Sequence, residues 1–539
     1  MKWVSILTLF LIGCFTLKGQ NHHERFEHID IQHYVFEVHL NDTTNWIQGK
    51  ATIKVKFLKT AKNVVLDLIG PGSENTGMSV SSVKSNNHAF KFQHKNDQLI
   101  VELDEIIDPK KIIEFEVIYS GIPTDGLIIS KNKYGDRTFF GDNWPDRAKH
   151  WLPVVDHPSD KATLEFLVCA PEHYEVVSNG YLFDEKNLTN KVRFTHWKED
   201  VPLPTKLMVI GVADFAVGNK EKYNNIPVSS WVFPQNKEMG FRNYKHGTKA
   251  LKYFSELIGS YSYEKLAHVQ SKTRYGGMEN ASCIFYHENT ATIDRSQERL
   301  FAHEVAHQWF GNSVTEQNWH HIWLSEGFAT YLTHVYNQHF HGEEKFREGL
   351  KNDRERVIRY TKKELKPVID TTVTEYIRLL NANSYQKASW FLHMLREDLG
   401  DEIFFKGLRK YYADFQNSTA LTKDFQHVME LVSGKDLNEF FIQWLWQAGH
   451  PVLDLRWEQS KDKLHISIDQ TQPEYLFRFP LELEIFYMDG TSEFLTLQIN
   501  QKPKEQRFRI GKKSKIKKLN LDPNVKLLFE NTNMQLLSR

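Results

Sequence analysis

Apolar and polar residues alternate through much of the first two fifths of the chain. Ala51, Ile53, Val55 and Phe57 are interleaved with Lys and Thr, the period-two pattern of a strand with one buried face. Residues 64–68 and 112–119 read the same way, with Asn, Gly and Pro clusters between them. Up to about residue 225 the pattern predicts an all-β unit. The period then changes, and long segments with helical spacing run from about 239 to 449, for example 342–363 and 401–415. After His450 and Pro451 the alternation returns. Leu453, Leu455 and Trp457 alternate, as do Leu464, Ile466 and Ile468. Phe477, Phe479, Leu481, Leu483 and Ile485 then lead to Asp489-Gly490, a hairpin signal. That tail is long enough for one small sandwich. The chain shows no internal repeats or low-complexity tracts.

Length supports the same division. At 539 residues the chain exceeds one core, and about 150 residues per domain suggests three or four. The expected class is multidomain α+β: an N-terminal β-domain at 20–225, a mainly helical domain at 226–449 and a β-sandwich at 450–539. Residues 1–19 place one cation, Lys2, before an apolar run at 3–17, with Lys18 and the small residue Gly19 before polar chain, which predicts a signal peptide and an exported protein. LIGC at 11–14 resembles a bacterial lipobox. The apolar run continues through 15–17, so cleavage near Gly19 is favoured over lipid anchoring through Cys14. No other segment approaches the length of an integral membrane span.

Sixty-eight basic residues balance 68 acidic ones, so no overall field favours nucleic acid or a membrane surface. Cys169 and Cys283 are the cysteines of the body, expected as two buried thiols rather than a bridge. The oligomeric state is not readable.

The segment FAHEVAHQWF at 301–310 carries the chemistry. On a helix His303 and His307 share one face and can point at one ion. Glu304 lies about 100° round from His303 and can reach a water on the metal rather than the metal. Catalytic zinc usually takes three protein ligands and leaves a fourth position open. Glu326, in WLSEGFATY at 323–331, follows with 18 residues between it and His307. That spacing allows a turn and a second helix that brings its first turn against the first. An unpaired carboxylate in so apolar a segment would be costly, which argues for Glu326 as the third ligand. His320 and His321, in the connector, read as supporting or surface groups, and His22, His23 and His28 as solvated ones.

With HEVAHQWFGN followed at that spacing by WLSEGFATY, the chain resembles the aminopeptidase N family of gluzincin zinc metallopeptidases, which includes the leukotriene hydrolases. Further matches are GGMEN at 276–280, preceded by Tyr275, and NSYQKA at 383–388. Weaker ones are DRAKHWLP at 146–153, DHP at 156–158, KAT at 161–163 and the junction 444–455. The resemblance implies a thermolysin-like catalytic domain with one Zn²⁺ per chain, held by His303, His307 and Glu326, and the short three-domain form, without the helical domain that follows the sandwich in many relatives. It further implies that Tyr275, Gly276, Gly277, Met278, Glu279 and Asn280 form the substrate-binding edge, with Glu279 on the free α-amino group of a peptide. Tyr385 stabilises the tetrahedral intermediate and Glu304 is general base and acid. Ser325 stands where many members have Asn. Near FGDNWP at 140–145 the family often adds a Gln or Glu to the amine, and Asp142 and Asn143 are the nearest equivalents here.

The expected activity is therefore removal of N-terminal residues from peptides with a free N-terminus. A zinc epoxide hydrolase or an endopeptidase on the same site is the alternative, with a non-catalytic binding protein as the third reading. The intact GGMEN segment argues against an endopeptidase. None of His303, Glu304, His307, Glu326 and Tyr385 is lost, as a binding protein would allow.

Overall fold

The period-two stretches form strands, and the side chains fall as the pattern requires. In Ile47–Phe57 the side chains of Ile47, Ala51, Ile53, Val55 and Phe57 are buried while Lys54 faces solvent. The computed structural model describes residues 27–537 apart from 73–74, 87, 294–296 and 513. The expected leader, Cys14, His22 and His23 lie outside the described residues, and His28 is exposed. Ile47–Phe57 sits inside an eight-stranded sheet, between Ile29–His39 and Ile112–Ile122. Within it Ile29–His39 pairs in parallel with Ala162–Pro171, and the other pairings are antiparallel. A four-stranded sheet built on Arg137–Gly141 and Ile210–Ala213 carries the chain towards the helical part.

The expected boundary at 225 falls inside one sheet. Ala216–Tyr223 and Ile226–Val232 form a hairpin that continues through Leu266–Ser271 and Cys283–His287 to the short edge strand Gly277–Met278. Asn224 and Asn225, at φ of 46° and 68°, make the left-handed turn that such a hairpin favours. A polar Asn pair thus marks a tight turn within a sheet rather than a linker.

Helices α1 (Lys237–Tyr244), α2 (His246–Leu257) and α3 (Glu298–Ala306) follow, and α3 packs between α2 and α4 (Trp323–Thr361). Residues 323–337 of α4 are buried on every side, which explains the lack of a polar face there. The helix breaks at Gly342, whose φ of +84° an L-residue rarely adopts, so the helical period expected from 342 begins at a true interruption. Helices α5 (Ala388–Leu399), α6 (Asp401–Phe415) and α7 (Thr422–Ser433) complete this part. Among the described residues no helix is long and apolar enough to cross a membrane.

The tail forms a four-stranded and a three-stranded sheet. Phe479–Tyr487 and Ser492–Ile499 pair around Asp489 and Gly490, the latter at φ +89°. Arg354 of α4 bonds to Asp522 and to the Leu527 carbonyl, and His393 of α5 donates to the Val525 carbonyl at 2.8 Å, tying the tail to the helices. Cys169 and Cys283 are buried free thiols.

Candidate metal centre and active site

The local sequence makes α3 end at the point where it must deliver two imidazoles. Its last turn carries His303, and His307 is the capping residue, still helical at φ −57° and ψ −27°. The helix stops there, before Gly311 and Asn312. After it Gly311 takes φ +116°, and a Cβ there would sit 2.2 Å from Ser325 Oγ. That close approach lays the connector against the first turn of α4, which carries Glu326. His303 Nε2 and His307 Nε2 are 3.2 Å apart, and Glu326 Oε2 lies 3.5 and 3.3 Å from them. A tetrahedral ion with bonds of about 2.05 Å, as for zinc, sets its ligands about 3.3 Å apart. The donors therefore fit such an ion, and the buried Glu326 Oε2 has no hydrogen-bond partner to compete for it.

The far nitrogen of the His307 ring is held. Ser325 Oγ lies 3.0 Å from His307 Nδ1, and the Phe310 carbonyl 3.3 Å from it. A donor set oriented in this way keeps the second ring nitrogen facing the ion. Burial alone would lower His307, but Glu326, Glu279 and Glu304 around it raise its pKa to about 9. Glu326 behaves in the opposite sense. Burial disfavours its charge, yet His307 and His303 hold it well below the usual carboxylate range.

Glu279 and Glu304 lie on the other side of His307, with carboxylate oxygens and a ring nitrogen within 4.8 Å of one another. Gly277–Met278 brings this segment in as an edge strand antiparallel to Cys283–His287. Gln308 Nε2 and Asn312 Nδ2, both from the motif after His307, donate to the Glu279 carbonyl at 2.8 and 2.6 Å and clamp it in place. Gln308 Oε1 also accepts from the Ser282 N–H at 2.9 Å. Burial, reinforced by Glu279 and Glu326 and opposed by His307, pushes Glu304 well above the ordinary range. Burial raises Glu279 too, with His307 and Lys206 opposing. A Cβ on Gly277 would meet Glu304 Oε1 at 2.3 Å, so the strand runs directly over that carboxylate.

Tyr385 stands on one turn of π-helix, Asn383–Lys387, immediately before α5. Such turns recur where a side chain must be re-aimed at a site. Its ring lies nearly parallel to His303, centroids 6.3 Å apart, and burial together with Glu326 and Glu279 raises its phenol well above the usual value. The hydroxyl therefore keeps its proton and can donate.

Tyr275, Gly277, Met278, Glu279, His303, Glu304, His307, Glu326 and Tyr385 line one cleft of about 60 Å³. Two of the expected residues do not line it. The Gly276 carbonyl accepts from the His287 N–H at 3.1 Å, and Asn280 is fully buried behind the strand. His320 and His321 bond to Asn318, Val373 and Thr422 and reach no ligand position.

Neither Asp142 nor Asn143 lines the cleft. Asp142 pairs with Arg147 at 2.5 Å, and Asn143 is bound to the Thr205 and Met208 carbonyls and to Trp151. The same stretch contributes Trp144 instead, with Leu380 opposite. Trp144 rests edge-on against Trp319, and beneath Trp319 lies Lys206, paired with Glu316 at 2.5 Å where neither side chain meets solvent. No sequence signal marks that pair, because its members are 110 positions apart.

Fold and site together define a scaffold class: an HExxH metal site with a carboxylate third donor, set on a helix pair between two β-rich parts. Residues 242–444 match the Peptidase family M1 domain, and residues 31–207 match the Peptidase M1 N-terminal domain. The chain belongs to peptidase family M1, the aminopeptidase N family. It is 26% identical over 496 residues to probable aminopeptidase 2 of Sulfurisphaera tokodaii, covering 86% of this chain and 60% of that protein. It is 29% identical over 329 residues to human glutamyl aminopeptidase, covering 58% and 34%. The chain thus spans less than two thirds of the length of these relatives. An M1 zinc metallopeptidase from Deinococcus radiodurans shares the fold, with a TM-score of 0.66 at 23% identity over 78% of this chain and 93% of that one.

Proposed function

We propose that this protein is an exported zinc aminopeptidase that removes N-terminal residues from peptides. The observation that carries the reading is Glu279: a buried carboxylate with Oε1 unpartnered, facing the cleft beside the His303, His307 and Glu326 donors. A buried anion so placed calls for a cation, and the ammonium of a peptide's first residue supplies one. His303, His307 and Glu326 would hold the zinc, which when bound would supply a water of pKa near ~7 and a Lewis acid for the scissile carbonyl.

The rest of the chemistry belongs to the chain's own residues. Glu279 anchors the ammonium, which sets the scissile bond one residue from the N-terminus. Glu304, raised well above the carboxylate range by burial, takes the proton of the attacking water and passes it to the leaving amine. The Tyr385 hydroxyl, held protonated, donates to the oxygen that gains charge in the transition state. The apolar wall of Trp144, Met278 and Leu380 receives the first side chain and excludes water.

Export rests on the leader-like sequence of residues 1–19. Cell fractionation with mass spectrometry of the N-terminus tests it, since a protein confined to the cytoplasm with Met1 retained would rule it out. Activity is tested with aminoacyl coumarylamides beside their N-acetylated counterparts, with and without 1,10-phenanthroline. The expected result is cleavage of free-amine substrates alone, lost to the chelator and restored by zinc. Equal cleavage of blocked substrates, or full activity after metal removal, would defeat the reading.

A further inference from the structure

The small cleft that holds Glu279 opens past His303 and Tyr385 into a second one of about 500 Å³. Among the described residues the two share those two and no others. With a peptide's ammonium at Glu279, His303 and Tyr385 mark the scissile bond, so the second cleft receives what lies after it.

Its chemistry is one-sided. Among the described residues, Arg299, four residues before His303, and Arg356, on the far segment of α4, are the charged side chains lining it besides His303, and no carboxylate does. Both are exposed. The acids beside them in sequence are committed elsewhere among the described residues. Glu298 pairs with Lys249 and His341, and Glu355 with Arg359. Arg299 is close enough for its charge to act on His303.

A second feature lies in the wall of the same space. Thr330 lines the cleft at 4% exposure, and its Oγ1 is sealed from solvent without a hydrogen-bond partner, whereas neighbouring Thr333 donates to the Ala329 carbonyl at 2.7 Å. Two guanidinium groups with no ion-pair partner among the described residues are a donor set for an anionic acceptor, and the sealed Thr330 hydroxyl joins it only if a bound ligand turns it towards the cleft.

We infer that this cleft selects leaving-side groups bearing a carboxylate, either an acidic side chain just after the scissile bond or the free C-terminus of a short peptide. The inference rests on the aminopeptidase reading and adds a substrate preference to it. Arg299 and Arg356 are then specificity-determining residues. Exposed guanidinium groups are screened by water and salt, so the preference is moderate: about 3- to 10-fold in kcat/KM at low ionic strength.

The test compares matched substrates with leucine as the fixed first residue. One arm sets Leu-Glu-amide against Leu-Gln-amide, and the other sets Leu-Ala against Leu-Ala-amide. Leucyl coumarylamide, with no leaving-side charge, is the reference for each enzyme form. The carboxylate member should win in at least one arm, and the arm that responds names the source. The advantage should shrink in about 0.5 M NaCl, where the Debye length is only a few ångströms. In Arg299→Gln with Arg356→Gln the within-enzyme ratio should fall towards one, and Arg299→Glu should turn the preference towards Leu-Lys-amide. Melting curves establish that each variant is folded.

Cleavage of the coumarylamide with no carboxylate advantage in either arm would overturn this inference alone. So would an advantage that survives the double substitution. Failure to cleave any substrate would overturn the aminopeptidase reading and this preference with it.

Discussion

Ser325 Oγ lies 3.0 Å from Nδ1 of His307, the ring whose Nε2 faces Glu326. The hydroxyl accepts the Nδ1 proton and so fixes which nitrogen is free for the metal. Many relatives are expected to carry Asn here, and a serine reaches only because Gly311 lets the connector approach α4. Removing such a partner typically weakens metal binding by about 10- to 100-fold. Ser325→Ala should lose zinc to a competing chelator more readily by that factor, and excess zinc should restore most of its activity. Unchanged metal affinity would mean that the Phe310 carbonyl alone orients the ring.

Gly277 tests how tightly the substrate edge strand governs the proton carrier. Alanine there must displace the Glu304 carboxylate, since the added methyl carbon would lie 2.3 Å from Oε1. The clash reaches back to Glu304 Cγ at 2.6 Å, so this whole side chain must swing aside. The nearest atoms include no backbone and none of the three donors, so folding and zinc content should be retained. A misplacement of about 1 Å at a reacting group can cost about 100-fold, and Gly277→Ala should lose that much in kcat. A variant with wild-type kcat would show that Glu304 relaxes without cost.

Glu279→Ala separates amine anchoring from catalysis proper. Hydrogen bonds to charged groups are worth about 1.5–3 kcal/mol, so kcat/KM on free-amine substrates should fall roughly 10- to 150-fold. Zinc content should not change, because Glu279 is not one of the three donors that fit the ion. The variant should also discriminate less against N-acetylated substrates. Wild-type rates with intact rejection of blocked peptides would place the anchor elsewhere.

Asp160 predicts a pH dependence of stability. One of its oxygens accepts from the Ile31 N–H at 3.0 Å, the other has no partner, and burial pushes its pKa up to about 8. The unfolded chain releases that proton near pH 3.9, as a free aspartate does. Between these values the folded state binds more protons, so this group's contribution is complete at low pH and is lost as pH rises towards 8. Asp160→Asn should therefore flatten the decline in unfolding free energy between about pH 5 and pH 8, by up to about 1.4 kcal/mol per pH unit. Urea titrations of both proteins across that range measure it, and parallel curves would contradict the assignment.

What the sequence determined by itself was whatever fits within a short window. Alternation placed the strands around Ile53 and Ile466, because side-chain direction repeats every two residues regardless of distant partners. Helical spacing put His303 and His307 on one face, since the helix fixes that relation within a single turn. The wider motifs, through their resemblance to a known family, carried the fold class and the family as well. Tertiary structure decided the rest. It made Asn224 and Asn225 a turn within one sheet, chose Trp144 over Asp142 and Asn143 for the cleft wall, and buried Lys206 against Glu316 beneath it. It also turned Gln308 and Asn312 into the clamp on the Glu279 carbonyl, and set Arg299 and Arg356 around one cleft from separate helices. These relations join residues far apart in the chain. Contacts of that kind form only when the whole chain closes, and no local period or propensity encodes them.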